Sequence, residues 1–237
     1  MLTLNKVNTY YENSHILHNI SMTVSEGEIV ALIGRNGVGK TTTIRTIMGL
    51  TPPQKGSIVF NGKEITRSKT FQIAREGIGL VPEERWVFPS LSVHQNLLIG
   101  IKETRAIAAS NQKKWTPDKC YEVFPSLKKR QSAKGRTLSG GEQQMLTIAR
   151  TLVGNPQLIL IDEPTEGLAP KIVEVVADVI REIKRQGITV LLVEQKLAIV
   201  LALADRIYVM SKGMIQWEGT PEALQENDAV RKSFLEV

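Results

Sequence analysis

The sequence predicts an α/β protein built on a mainly parallel sheet with crossover helices. Three observations carry that prediction. Short apolar runs recur along the chain with helical patterns between them. Four of the runs, Ile29 to Ile33, Ile78 to Val81, Leu158 to Ile161 and Thr189 to Val193, are nearly continuous, as strands buried on both faces should be. A glycine-rich turn, GRNGVGKT at Gly34 to Thr41, joins the first of these runs to a helical stretch reaching Met48.

The N-terminal part reads differently. Leu2 to Val7, Ile20 to Val24 and Ile58 to Phe60 alternate apolar with polar residues, and Asn61-Gly62 is a strong hairpin signal. A small antiparallel sheet beside the parallel one follows. From about Arg85 to Thr137 the strand signal disappears and Gln, Lys, Ala and Leu dominate, which predicts a helical insertion. Gln144 to Val153 is also helical in pattern. In Lys171 to Arg185, Ile172, Val175, Val176, Val179, Ile180 and Ile183 recur at helical spacing and define one apolar face on the sheet. No internal repeat is present. At about 150 residues per domain, 237 residues make one large domain or a domain carrying a subdomain.

A chain with 42% hydrophobic and 23% charged residues is not disordered, collagen-like or a coiled coil. Its longest apolar run, Leu197 to Ala204, is far below the ~20 residues of a membrane-spanning helix. With no basic-then-apolar start, the expected compartment is the cytoplasm. Cys120 is the only cysteine, which excludes an intrachain disulfide and a cysteine-built metal site. The net charge of +6 is concentrated. Between Lys102 and Arg136 ten basic residues stand against three acidic ones, so the rest of the chain is near neutral. That stretch reads either as a solvated helical face or as a surface for acidic lipid head groups or an acidic partner.

GRNGVGKT matches G-x-x-x-x-G-K-[ST] between a strand and a helix, the context that motif requires. Across Gly34, Arg35, Asn36, Gly37, Val38 and Gly39, glycines let backbone N–H groups converge on phosphate oxygens, and the helix start adds its positive field. Lys40 would reach the β and γ phosphates and the Thr41 hydroxyl would ligate magnesium. Thr42 is placed for the α phosphate. LILIDE at Leu158 to Glu163 supplies the acids: Asp162 for the magnesium shell, Glu163 to accept a proton from the attacking water. No N-K-x-D motif for guanine is present. In LSGGEQ, Leu138 to Gln143, Ser139 and Glu142 form a capping box. Capping does not account for Gly140 and Gly141, which would let backbone amides approach an anion at a second helix start.

GRNGVGKT, LSGGEQ upstream of LIDE, and DEP after it together resemble the nucleotide-binding subunit of an ABC transporter. The resemblance spans nearly the whole chain. It implies a single ABC ATPase domain over 1–237 of the P-loop NTPase, RecA-like class, with an N-terminal antiparallel β-subdomain and a helical subdomain at about 85–150. It implies ATP and Mg2+ as ligands, and head-to-tail pairing in which the Ser139 to Glu142 segment of one subunit covers ATP on the P-loop of a homologous one. Integral membrane permease subunits would be direct partners, a substrate-binding protein an indirect one, and nucleic acid none. The location implied is the cytoplasmic face of the inner membrane. Tyr11 sits where the family stacks an aromatic on adenine, with Tyr10 adjacent.

Three positions depart from the general pattern: Glu83 replaces a Gln, Gln195 a His and Ala169 an Asp. Together they are similar to the LivF-type second ATPase of branched-chain amino acid importers, and to a close relative in urea importers. Amino acid uptake is the expected function, with urea the alternative cargo. Gln195 can hydrogen-bond a γ phosphate but carries no charge, and Glu83 repels phosphate unless it ligates the metal. A nucleotide-dependent clamp with weak hydrolysis therefore stays open. Trp86, Phe88 and Pro89 form an aromatic cluster that is either a binding surface or a local core. By resemblance, the family receives a short permease helix there.

Overall fold

The structure is a computed structural model describing residues 1–102 and 115–235. In chain order its elements are β1 (Leu2–Tyr11), β2 (Ser14–Val24), β3 (Ile29–Ile33), α1 (Lys40–Ile47), β4 (Lys55–Phe60), β5 (Lys63–Glu64), α2 (Thr70–Glu76), β6 (Ile78–Val81), α3 (Val93–Gly100), α4 (Pro117–Val123), α5 (Pro125–Lys129), α6 (Gly140–Leu152), β7 (Leu158–Asp162), α7 (Pro170–Arg185), β8 (Thr189–Glu194), α8 (Leu197–Leu203), β9 (Arg206–Ser211), β10 (Met214–Gly219) and α9 (Pro221–Glu226). The chain divides into one unit of Met1–Ile73 with Thr189–Val237 and another of Ala74–Ile188.

The first unit holds the predicted antiparallel sheet, in the order β2-β1-β4-β5. Asn61 and Gly62 have φ of 49° and 76°, and two successive positive values match the twist of the β4–β5 hairpin. In its other sheet, β3 lies between β8 and β9, parallel to both, and β10 pairs antiparallel with β9. The β9–β10 hairpin is absent from the sequence prediction. Its Lys212-Gly213 turn, also with two positive φ values, joins the two sheets: His18 N donates to Gly213 O at 2.8 Å. Alternation of buried and exposed residues along β1 and β4 gives way in β3 to five buried residues in a row. The apolar run near Leu197 becomes α8, which packs Val200 on Ala31, Ile33, Ile207 and Val209.

In the second unit β6 and β7 pair in parallel, Ile78 opposite Leu158 and Val81 opposite Ile161. The predicted insertion contains α3, α4 and α5, and α3 and α6 both start with a capping box, from Ser92 and Ser139. Helix α7 buries Val176, Val179, Ile180 and Ile183, but Val175 is exposed although its spacing places it on the apolar face. The basic stretch does not behave as one surface. Lys102 is half-buried and donates to the Ala74 carbonyl at the end of α2, and burial lowers its pKa. Lys119 pairs with Glu122. Lys128, Lys129, Arg130, Lys134 and Arg136 are exposed, while Arg105, Lys113 and Lys114 lie outside the described residues. Among the described residues no helix is long and apolar enough to cross a membrane.

Candidate nucleotide site

Strand β3 delivers the chain into the loop Gly34 to Gly39, and α1 begins at Lys40. Gly39 adopts φ 110°, and a Cβ there would stand 2.8 Å from a Leu17 methyl. The loop is therefore pressed onto β2 at its base, while Arg35, Asn36 and Gly37 stay exposed. Gly213 N donates to Val38 O at 3.0 Å, so the β9–β10 turn also braces it. The buried Lys40 ammonium donates to Gly34 O at 2.9 Å and Arg35 O at 3.0 Å, drawing the loop around itself.

The start of α1 shares the lack of a side-chain cap and of a first-turn acid with α5, α7 and α8, and differs from them in its first residue, a lysine. First-turn amides need acceptors, and positive charge at a helix start is unfavourable unless an anion balances it. A phosphate fits that requirement. Thr41 and Thr42 follow directly, half-buried and buried. The start of α6 is built differently. Ser139 Oγ accepts from Glu142 N at 3.3 Å, and Glu142 Oε2 accepts from Ser139 N at 2.8 Å. Its two glycines also have steric reasons. A Cβ on Gly141 would stand 2.8 Å from Ile172 Cγ2 of α7, and one on Gly140 would stand 2.6 Å from Arg85 Nη1.

Asp162 and Glu163 are buried at the end of β7. Glu163 has φ 42°, a left-handed backbone that costs ~1–3 kcal/mol for a residue with a side chain. Its carbonyl accepts from Glu166 N at 3.2 Å, closing a turn. Glu83, two residues past β6, is exposed. Hydroxyl and carboxylate oxygens of Thr41, Asp162 and Glu83 are the hard donors that magnesium takes. Among the described residues no group of three His, Cys, Asp or Glu converges. Magnesium does not need one, since it binds through one or two carboxylates plus phosphate and water.

Gln195 is exposed just after β8, and its backbone N donates to Glu194 Oε2 at 2.8 Å, as Lys196 N does at 3.0 Å. The buried Glu194 carboxylate thus shapes the turn that presents Gln195. Tyr11 ends β1 with 40% of its surface exposed. Tyr10 is committed elsewhere, stacked on His15 with ring centroids 4.1 Å apart, and His15 packs on His18.

Trp86 and Phe88 are 53% and 45% exposed, which decides for a surface over a local core. Their backbone is fixed. Buried Asn96 accepts from Phe88 N at 2.8 Å and donates to Phe88 O at 3.1 Å. Arg150 donates to Trp86 O and lies over the Phe88 ring at 5.1 Å.

A family model described as ABC transporter matches residues 17–166, more than half of the chain. The chain belongs to the ABC transporter family. This ABC ATPase is 43% identical over 235 residues to the high-affinity branched-chain amino acid transport ATP-binding protein BraG of Pseudomonas aeruginosa, covering 99% of each chain. It is 34% identical to the probable LivF of Archaeoglobus fulgidus, over all of this chain and 99% of that one. Among solved structures, the ADP conformation of the ATP-binding cassette MJ1267 superposes with a TM-score of 0.81 at 31% identity, covering 96% of this chain and 93% of that one.

In the ABC ATPase, Tyr11, Gly34 to Thr42 and Gln195 belong to the first unit, and Glu83, Ser139 to Glu142, Asp162 and Glu163 to the second. The sequence left four side chains unremarked: Glu194, Arg85, Asn96 and Arg150. Glu194 had a signal, an acid ending a buried strand as in LILIDE. The two arginines had none, because their contacts join residues 81 and 64 apart.

Proposed function

We propose that this ABC ATPase is the ATP-binding and hydrolysing subunit of an importer for branched-chain amino acids. It would act at the cytoplasmic face of the inner membrane, paired head to tail with a homologous subunit and docked on permease subunits. The observation that carries the nucleotide reading is the start of α1, headed by Lys40 and offering its first-turn amides no cap, and Glu163 buried at the end of β7 supports the hydrolytic half. The likeness to BraG across nearly the whole chain supports the cargo.

Lys40 turns its ammonium from the loop carbonyls to the β and γ phosphates, and Thr42 meets the α phosphate. Thr41, Asp162 and Glu83 would hold magnesium, which would supply neutralisation of charge on the phosphates. Glu163 orients the attacking water and accepts its proton. Gln195 hydrogen-bonds the γ phosphate as a neutral amide. Tyr11 stacks on adenine, and Ser139, Gly140, Gly141 and Glu142 face the nucleotide of the partner subunit. Trp86 and Phe88 receive the permease.

Lys40→Ala should abolish ATP binding, and Glu163→Gln should keep binding while slowing single-turnover hydrolysis at least a hundredfold. Turnover at the parental rate in Glu163→Gln would remove the proton-acceptor assignment. Deleting the gene should abolish high-affinity uptake of labelled leucine, isoleucine and valine, and unchanged uptake of all three would overturn the cargo.

A further inference from the structure

Arg85 stands two residues beyond Glu83 and adopts φ 49°, a left-handed backbone that a side-chain-bearing residue keeps only when its surroundings hold it there. A local bond from Val87 N to Arg85 O at 2.7 Å accompanies that backbone, and the guanidinium reaches outward from it. Nη2 donates to Glu166 O at 2.5 Å and stands 3.5 Å from where Gly167 would carry a Cβ. Nη1 fills the space beside Gly140 that a Cβ would otherwise take. One planar group therefore touches three chain segments: the loop after β6, the first residue of α6, and the turn opened by Glu163.

Each of these segments carries residues assigned above to the nucleotide, namely Glu83, Ser139 to Glu142, and Glu163. The turn at Glu163 is closed from within by the Glu166 N to Glu163 O bond. From outside, Arg85 holds it at the Glu166 carbonyl. We infer that Arg85 is a positioning residue for hydrolysis, locking the Glu163 turn and the start of α6 to the Glu83 loop so that the three move as one body. The inference rests on the proposed role of Glu163 for its catalytic half and on geometry alone for its mechanical half. A guanidinium suits the task because its donors form a rigid planar fork, which the single ammonium of lysine does not reproduce. Gly140 is the complementary feature, since any side chain there evicts Nη1.

Hydrogen exchange on the nucleotide-free protein tests the mechanical half. Arg85→Ala should speed exchange of backbone amides in 163–168 and 139–143 at least fivefold, with Arg85→Lys intermediate and the thermal midpoint of both within a few degrees of the parent. Unchanged exchange in 163–168 overturns the inference. Steady-state ATPase tests the catalytic half: Arg85→Ala should lower kcat about tenfold with KM for ATP within twofold, a split that general destabilisation would not give. In the exchange assay, Gly140→Ala should speed exchange of 163–168 in the nucleotide-free parent but by less than twofold more in the Arg85→Ala background, because the group it displaces is already gone. Equal fold increases in both backgrounds would show that Gly140 and Arg85 act separately and overturn the coupling. Glu163→Gln in the ATPase assay keeps the two readings apart. If it turns over normally, the proton-acceptor role and the catalytic half fail together, while the exchange result still judges the lock.

Discussion

Replacing Gly141 with alanine separates two reasons for a glycine in the first turn of α6. If the residue serves only to let backbone amides approach a phosphate, the substitution improves an isolated helix, by up to about 1 kcal/mol at an interior position. The structure predicts the opposite sign. The new Cβ would stand 2.8 Å from Ile172 Cγ2 and 3.4 Å from Cγ1, so α6 and α7 must move apart or Ile172 must leave its rotamer. Overpacking of this kind costs about 1–3 kcal/mol. Subtracting the propensity gain leaves a net loss of roughly 1 kcal/mol, or about 2–4 °C in thermal midpoint for a chain of this size. Calorimetry on the nucleotide-free protein reads it directly. The control is Ile172→Ala, which removes both crowding atoms. In that background Gly141→Ala should raise the midpoint instead of lowering it. A higher midpoint for Gly141→Ala in the parent would refute the packing account and return the glycine to the phosphate alone.

Three further outcomes follow from the geometry. Ala169 has φ −64° and ψ 147°, the backbone of a helix cap, but offers no capping side chain to α7, and Ile172 N already donates to Ala169 O at 2.8 Å, so Ala169→Asp should stabilise the protein by about 1 kcal/mol in thermal unfolding through the Lys171 amide; no gain would mean that this amide is already satisfied. Gln195 does not titrate, so the pH profile of ATP turnover should lack a step near neutrality, and Gln195→His should introduce one near pH 6.5; identical profiles would separate residue 195 from the γ phosphate. Phe88→Ala should reduce the ratio of permease-stimulated to basal ATPase activity at least fivefold, measured with reconstituted permease, and an unchanged ratio would remove Phe88 from the docking surface.

Local patterns carried most of the fold. Ile29 to Ile33 and Ile78 to Val81 agree with their strands to the residue, because an apolar run bounded by turn residues leaves few choices. The β9–β10 hairpin escaped because Lys212-Gly213 is a weaker turn signal than Asn61-Gly62, although both pairs take positive φ. Val175 escaped because periodicity gives the direction of a face but not where its cover ends. The residues proposed for phosphate could be named from the sequence because that chemistry demands fixed spacing within one loop. Arg85, Asn96 and Arg150 were not, since their value lies in carbonyls brought close only by folding.

The lysine at the head of α1 has a consequence for what happens between catalytic cycles. Its ammonium rests on the carbonyl oxygens of Gly34 and Arg35, so the charge proposed to meet the nucleotide is already buried and already inside the loop. A loop wound around its own cation does not collapse when product leaves, and it does not have to be rebuilt when the next nucleotide arrives. Binding becomes an exchange of two neutral acceptors for charged ones. The favourable difference between them goes into affinity, with little lost to reorganisation.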